Sequence, residues 1–287
     1  MASFAQLQSA EEGRLLLKEL GLQADDISDI AGAALALGYL QMPDIHPQRY
    51  QNHLERMKET FKDCLEIART DEGDDIFSII KALKLVIHDD FGYQGDQETY
   101  DDLDNINFIR VIERRKGLPV ALGILYLMLC QAEGIEAAGL NFPGHFLLRV
   151  SYHGDVKILD PFQNGKVMEA ADLRHLLKAV AGKNAELSHR YYDAVSNRQV
   201  LVRLQNNLKT RLIEHEDYGT ALEIVESIRL LIPQDARTYL DEGVLSARIG
   251  EKNRALSALE SYLASLTDPA EQKQIHGLIR DIHSDLN

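Results

Sequence analysis

His145 and Asp160 are of the types that perform general-base chemistry, and the residues between them read as a hairpin. Phe146, Leu148 and Val150 alternate with His145, Leu147 and Arg149, while Val156, Ile158 and Asp160 share one face of the next strand. If Ser151 to Gly154 form the loop, Val150 faces Asp155 and His145 falls directly opposite Asp160. An aspartate that orients an imidazole, which in turn deprotonates a thiol, is the supporting half of a cysteine-type triad. The thiol should stand at the N-terminus of the preceding buried helix, where the helix dipole lowers its pKa. A plainer alternative is a His145–Asp160 hydrogen bond that only fixes the hairpin.

The elements that must position this pair lie between Asn105 and Phe162. Phe108, Ile109, Val111 and Ile112 mark one helix ending in the basic cluster Arg114, Arg115 and Lys116, which favours the negative end of its dipole. Gly117 breaks the chain and Pro119 suits the first turn of the next helix, because its missing N–H costs nothing there. That helix is apolar nearly all round as far as Glu133, so it should be the buried centre of its domain, and Gly134 ends it. Pro143 and Gly144 set a tight turn just before His145, where the backbone can approach a bound peptide. Phe142, Phe146 and Phe162 are placed either to line the same cleft or to pack in the core. Arg149 offers a carboxylate anchor or a salt bridge to Asp160. The loop before this stretch, HDDFGYQGDQETY, holds Phe91, Tyr93 and Tyr100 with two glycines and is a candidate cleft rim.

Upstream, residues 1 to about 70 read as helical. Leu15, Leu16 and Leu20 share a side before Gly21, an Ala/Gly-rich helix follows, and an amphipathic helix runs over Arg49–Ala68. Another spans Ile76–Ile87. The acids Asp71, Glu72, Asp74 and Asp75 lack the alternating ligands of a calcium loop and read as a solvated helix start, so no metal site is expected.

Net charge is -14, from 31 Lys and Arg against 45 Asp and Glu. Nucleic acid and anionic membrane surfaces are therefore poor partners. Cys64 and Cys130 sit in apolar helical patterns without metal or redox spacing, as expected of buried thiols in a reducing compartment. The N-terminus has neither a basic leader nor an apolar core, and the run Leu118–Ala132 falls short of the roughly 20 residues that span a bilayer. The expectation is a cytoplasmic protein.

The C-terminal part repeats. EDYGTALEIVESIRLLIPQDA and GEKNRALSALESYLASLTDPA align with Ala221 over Ala255, with Tyr218, Pro233, Tyr239, Gly243, Gly250 and Pro269 at the small, aromatic and proline positions of tetratricopeptide-type helix pairs. A last helix spans Ala270–His283.

The central stretch resembles the core of the transglutaminase-like superfamily, in which Gly-x-Cys opens the central helix, Gly-Ile ends it, and His and Asp follow on adjacent strands. The family's glycine falls on Gly117, its Gly-Ile on Gly134 and Ile135, its histidine on His145 and its aspartate on Asp160. Its catalytic cysteine falls on Pro119, so the resemblance implies a missing nucleophile. Cys130 is roughly 16 Å farther along the same helix at 1.5 Å per residue and cannot stand in. FGYQGDQETYDDLDNINFIRVIERRKGLPVALGILYL, NFPGHFLLRV and ILDPF, followed by the repeats, are similar to the bacterial SirB family, whose members commonly carry Gly-x-Pro here.

The resemblance implies an α+β, cysteine-protease-like core, about 105–180, within a domain over 1–195 that has a helical N-terminal part, followed by an all-α repeat region over 196–287. It implies no cofactor. Two functions are compatible with these residues. One is a non-catalytic, regulatory module that binds a protein or peptide through the repeats or the cleft. The other is a cysteine-independent hydrolase or transferase using His145 and Asp160 as a general-base pair.

Overall fold

The computed structural model describes residue 4 and residues 7–284. The reading of the N-terminus as no secretory leader rests partly on residues 1–3, 5 and 6, which lie outside the described residues. The chain divides into two compact units, Met1–Leu16 with Ala24–Leu204 and Leu17–Gln23 with Gln205–Asn287.

The first half of the chain supplies helices α1 (Ala10–Leu22), α2 (Ile30–Gln41), α3 (Gln48–Glu72), α4 (Ile76–Lys84), α5 (Phe108–Arg114) and α6 (Pro119–Ala132), with the short strands β1 (Gln94–Gly95) and β2 (Lys116–Gly117) paired in parallel. Strands β3 (Glu136–Leu140), β4 (Leu148–Tyr152) and β5 (Asp155–Asp160) follow, then β6 (Lys166–Val167), helix α7 (Ala170–Ala181) and β7 (Ala194–Val195). The sheet order is β6-β5-β4-β3-β7, with every neighbouring pair antiparallel.

Helix α6 is the centre of this unit. Leu118 is extended and Pro119 occupies the first turn, and every residue from Pro119 to Cys130 is buried. A helix with apolar residues on all sides must be surrounded, and α6 packs against α2, α3 and β3. Each fully buried Leu or Ile in it stabilises the fold by roughly 1.5–3 kcal/mol. It ends where Gly134, at φ 66°, lets Ile135 donate to the Cys130 carbonyl at 2.8 Å, a Schellman closure. The Ala/Gly-rich α2 comes close to α5, since a Cβ on Gly38 would lie 3.0 Å from Ile109.

Two helix ends differ from expectation. Asn107 caps α5 by accepting from Ile109 and Arg110, but the helix closes at Arg115, which adopts φ 59°. Its N–H still bonds the Val111 carbonyl while the chain turns into β2, so Gly117 is not the breaker; it makes room for Val111, which would stand 3.0 Å from a Cβ there. Helix α4 stops at Lys84 and continues as a π-helical turn over Leu85–Asp90. That turn places His88 between the Tyr93 carbonyl and the Tyr126 hydroxyl, each 2.5 Å away.

The hairpin register also differs. Val150 faces Lys157, not Asp155, and Tyr152 faces Asp155. The turn consists only of His153 and Gly154, at φ 49° and 89°, the backbone pattern of a type I′ loop whose twist matches its strands. A two-residue slip preserves which face each side chain occupies. It leaves His145 outside β4, in the turn that precedes it.

In the second unit, helices α9 (Tyr218–Leu231), α10 (Arg237–Arg248), α11 (Lys252–Ser265) and α12 (Pro269–Ser284) follow the end of α8 (Asn197–Glu214) as antiparallel pairs. Ala221 and Ala255, one repeat apart, are both 0% exposed. Gly243 lets α10 and α11 approach closely, because a Cβ there would be 2.6 Å from Leu259. Glu242 on α10 accepts from Arg229 at 2.5 Å and from Arg254 at 2.8 Å, tying three helices together. Among the described residues, no helix is long and apolar enough to cross a membrane.

Candidate functional site

The site begins with the turn after β3. Gly144 adopts φ 66° in this turn, and the side chains of Phe146 and Leu147 then go to different cores. Phe146 packs onto α6 at Gly123, whereas Leu147 joins Leu140, Phe142, Leu173 and Leu177 in the core under α7. Asp160, at the end of β5, caps the short 3-10 turn Pro161–Gln163. Its Oδ1 accepts from the backbone N–H of Phe162 at 2.9 Å and of Gln163 at 3.3 Å, and its Oδ2 accepts from the Gln163 side-chain amide at 2.7 Å.

His145 reaches this carboxylate from its turn, with Nε2 3.0 Å from Asp160 Oδ2. The sequence-predicted pair therefore meets, although not as cross-strand neighbours. Burial alone would raise the Asp160 pKa, but the bonds from His145, Gln163 and the Phe162 backbone hold it below the usual carboxylate value. An ionised aspartate only accepts, so His145 donates to it through Nε2. His145 is 16% exposed at its side chain and Asp160 is 0% exposed. An imidazole oriented by a buried carboxylate is the arrangement that general-base chemistry uses.

No thiol accompanies it. Pro119 opens α6 at the position where the helix dipole would act, and it is buried. Cys130 is 0% exposed, and burial pushes its thiol up to about 12. The Cys64 thiol is raised by burial and by the nearby Asp90 and Asp63 carboxylates. Among the described residues, no group of three or more His, Cys, Asp and Glu is arranged to hold a metal ion.

The predicted binding residues separate. Phe162 is half-buried and borders a cleft of about 480 Å³ with Gln94, Gly95, Lys116, Gln163 and Asn164. Its ring covers Gly95, where a Cβ would lie 2.5 Å away, and meets Tyr100 edge-on at 5.6 Å. Pro143 and Gly144 are at the surface beside His145, and Val180 would lie 2.4 Å from a Cβ on Gly144. Phe142 is buried under α7, with Tyr191 edge-on at 5.9 Å, so it is core and not cleft. Arg149 pairs with Glu136 at 3.5 Å and not with Asp160, because it faces Ala138 across β3 and Glu136 is its diagonal neighbour. Tyr93 is 1% exposed and its hydroxyl bonds His53 and Arg115, which draws it away from any rim.

Gln163 is the residue that sequence reasoning missed. It both bonds Asp160 and lines the cleft, linking the pair to the cavity. The signal was Asp-Pro at a helix start, where an aspartate accepts from the backbone two and three residues on.

Comparison with known proteins agrees with this geometry. A family profile described as transglutaminase-like superfamily matches residues 48–206, and one described as tetratricopeptide repeat matches 208–280. A UPF0162 protein of Vibrio cholerae is 29% identical over 261 residues, covering 89% of this chain and 94% of its own. Protein SirB1 of Salmonella typhimurium is 24% identical over 204 residues, covering 71% of this chain and 76% of its own. Among solved structures, one of menin titled as revealing its binding site for Mixed Lineage Leukemia protein aligns at a TM-score of 0.38 and 10% identity, over 94% of this chain and 74% of menin's, too loose to bear on the argument. With its buried Pro119 helix, its His145–Asp160 pair and its appended helix pairs, this chain belongs to the transglutaminase-like superfamily, among the SirB and UPF0162 proteins.

Proposed function

We propose that this protein is a transglutaminase-like fold without covalent catalysis, acting in the cytoplasm as a regulatory module that binds another polypeptide. The observation that carries this reading is Pro119. A pyrrolidine ring occupies the first turn of α6, where the superfamily's cysteine would meet the positive end of the helix dipole, and it offers no nucleophile. Tetratricopeptide pairs present helical surfaces to peptides, and the Phe162 cleft, with its amide side chains Gln94 and Gln163, suits an extended backbone.

A second reading rests on the integrity of the His145–Asp160 pair. An oriented base with a partly accessible ring can activate water or a substrate's own nucleophile, which contributes about 10²- to 10⁴-fold even without a covalent step.

In-cell crosslinking with mass spectrometry on the full chain separates the two. Under the binding reading, capture of a defined protein persists in His145→Ala and is lost in Val244→Asp, Val244 being 40% exposed on α10. Turnover of amide or ester substrates by the purified protein that vanishes in His145→Ala would overturn it in favour of the second.

A further inference from the structure

A different cluster lies where α3 meets the C-terminus of α5, and none of its elements supplies His145 or Asp160. His53 Nε2 is 2.8 Å from the Tyr93 hydroxyl and 2.6 Å from Arg115 Nη1. The Arg115 guanidinium lies over the Tyr93 ring at 4.7 Å, and that of Arg56 lies over Phe91 at 5.3 Å. Phe91 in turn meets the His53 ring edge-on at 5.3 Å. His53 and Arg56 are three residues apart on α3 and so share a helix face.

Charge pairing makes the cluster unusual. The neighbouring cations are all matched: Arg49 and Arg110 with Glu113, Arg114 with Asp96 and Asp102, and Lys116 with Glu98. Arg56 and Arg115 have no carboxylate partner among the described residues, in a chain with 45 acids against 31 Lys and Arg. The imidazole between them registers the excess: burial, then Arg115, then Arg56 push the His53 pKa down to about 4. His53 is therefore neutral at pH 7 and accepts from Arg115, adding no charge of its own. Arg115 is also held at φ 59°, a left-handed conformation that non-glycine residues adopt only at a cost. The turn fixes its guanidinium by backbone geometry, and only part of its five-donor fork is used by His53 and Tyr93.

Planar guanidinium forks held in place are suited to carboxylate and phosphate oxygens. We propose that Arg115 and Arg56, with the His53 edge between them and Phe91 as an aromatic wall, form a receptor for an oxyanion, either a carboxylate or a phosphate group. The overall negative charge keeps other anions off the surface, so this site selects by local geometry.

The test follows the His53 ring by ¹H–¹⁵N correlation in the full-length protein while inorganic phosphate or, separately, acetate is added at constant ionic strength. A saturable shift with either probe, lost in Arg56→Gln, is expected; which probe saturates distinguishes phosphate from carboxylate. Arg56 is exposed on α3, so Arg56→Gln should unfold at the wild-type temperature. Arg115→Lys keeps the charge but loses the fork, and should weaken binding at least about tenfold. Absence of saturation with both probes, or an unchanged response in Arg56→Gln, overturns the proposal.

Discussion

The ring of Phe146 occupies the space that a side chain on Gly123 would need: a Cβ there would lie 2.3 Å from Phe146 Cε1. Phe146 follows His145, and Gly123 is one helical turn beyond Pro119. This contact therefore seats the histidine-bearing turn against the start of α6, which no backbone ladder does, since β4 begins only at Leu148.

Gly123→Ala should accordingly destabilise the protein by about 1–3 kcal/mol through overpacking, outweighing the ~1 kcal/mol that alanine's helix propensity adds. Combined with Phe146→Leu, the loss should be smaller than the sum of the single losses, because the shorter side chain vacates the space. Urea unfolding of the four proteins in this cycle measures the coupling.

Gly154→Ala tests the hairpin. Gly154 sits at φ 89° in the two-residue turn, so alanine should cost roughly 1–2 kcal/mol in denaturant unfolding. A loop running from Ser151 to Gly154 would instead spread the strain, and alanine would then be nearly silent.

That turn also marks the limit of what the sequence discloses. The α6 core was legible because a run apolar on every side has no alternative to burial. The faces of β4 and β5 were legible because alternation survives a slip of two residues. The register was not, since it depends on His153 accepting a positive φ, which histidine does only occasionally. The His145–Asp160 meeting was anticipated from the wrong pairing: the contact comes from a turn and a helix cap. Tyr93 was placed at the cleft rim and Phe142 left between cleft and core because an aromatic in a loop looks the same in one dimension whether or not its hydroxyl or ring finds buried partners. Pairing between side chains on neighbouring strands, such as Arg149 with Glu136, follows from the β3–β4 register, which no turn signal in the sequence specifies.

The pH dependence of stability should report the buried carboxylate. The folded Asp160 pKa is below its unfolded value of about 3.9. Its stabilisation is thus complete above that value and is lost as pH falls through the folded pKa. His145→Ala removes one of the bonds that keep Asp160 ionised, so acid unfolding should begin at higher pH than in the wild type. Asp160→Asn should lose about 2–4 kcal/mol near neutrality by leaving donors unmatched, and its acid limb should be flatter. Circular dichroism across the acid range distinguishes the three curves.

Pro119→Cys asks directly whether the pair still faces the nucleophile position. The substitution keeps a residue at the first turn of α6, where proline's missing N–H gave no hydrogen-bond advantage, so it should cost under about 1 kcal/mol. A thiol there would feel the positive end of the α6 dipole and, where the pair faces it, His145 as proton acceptor, both of which favour thiolate, against burial, which opposes it. The expected outcome is alkylation by iodoacetamide at mildly acidic pH about tenfold faster than in Pro119→Cys combined with His145→Ala, a factor within the range of a positioned base. Cys130 should remain unmodified in both, because its thiol is fully buried. Equal rates in the two variants would mean that His145 does not address this position and that its bond to Asp160 serves only to fix the turn to the end of β5.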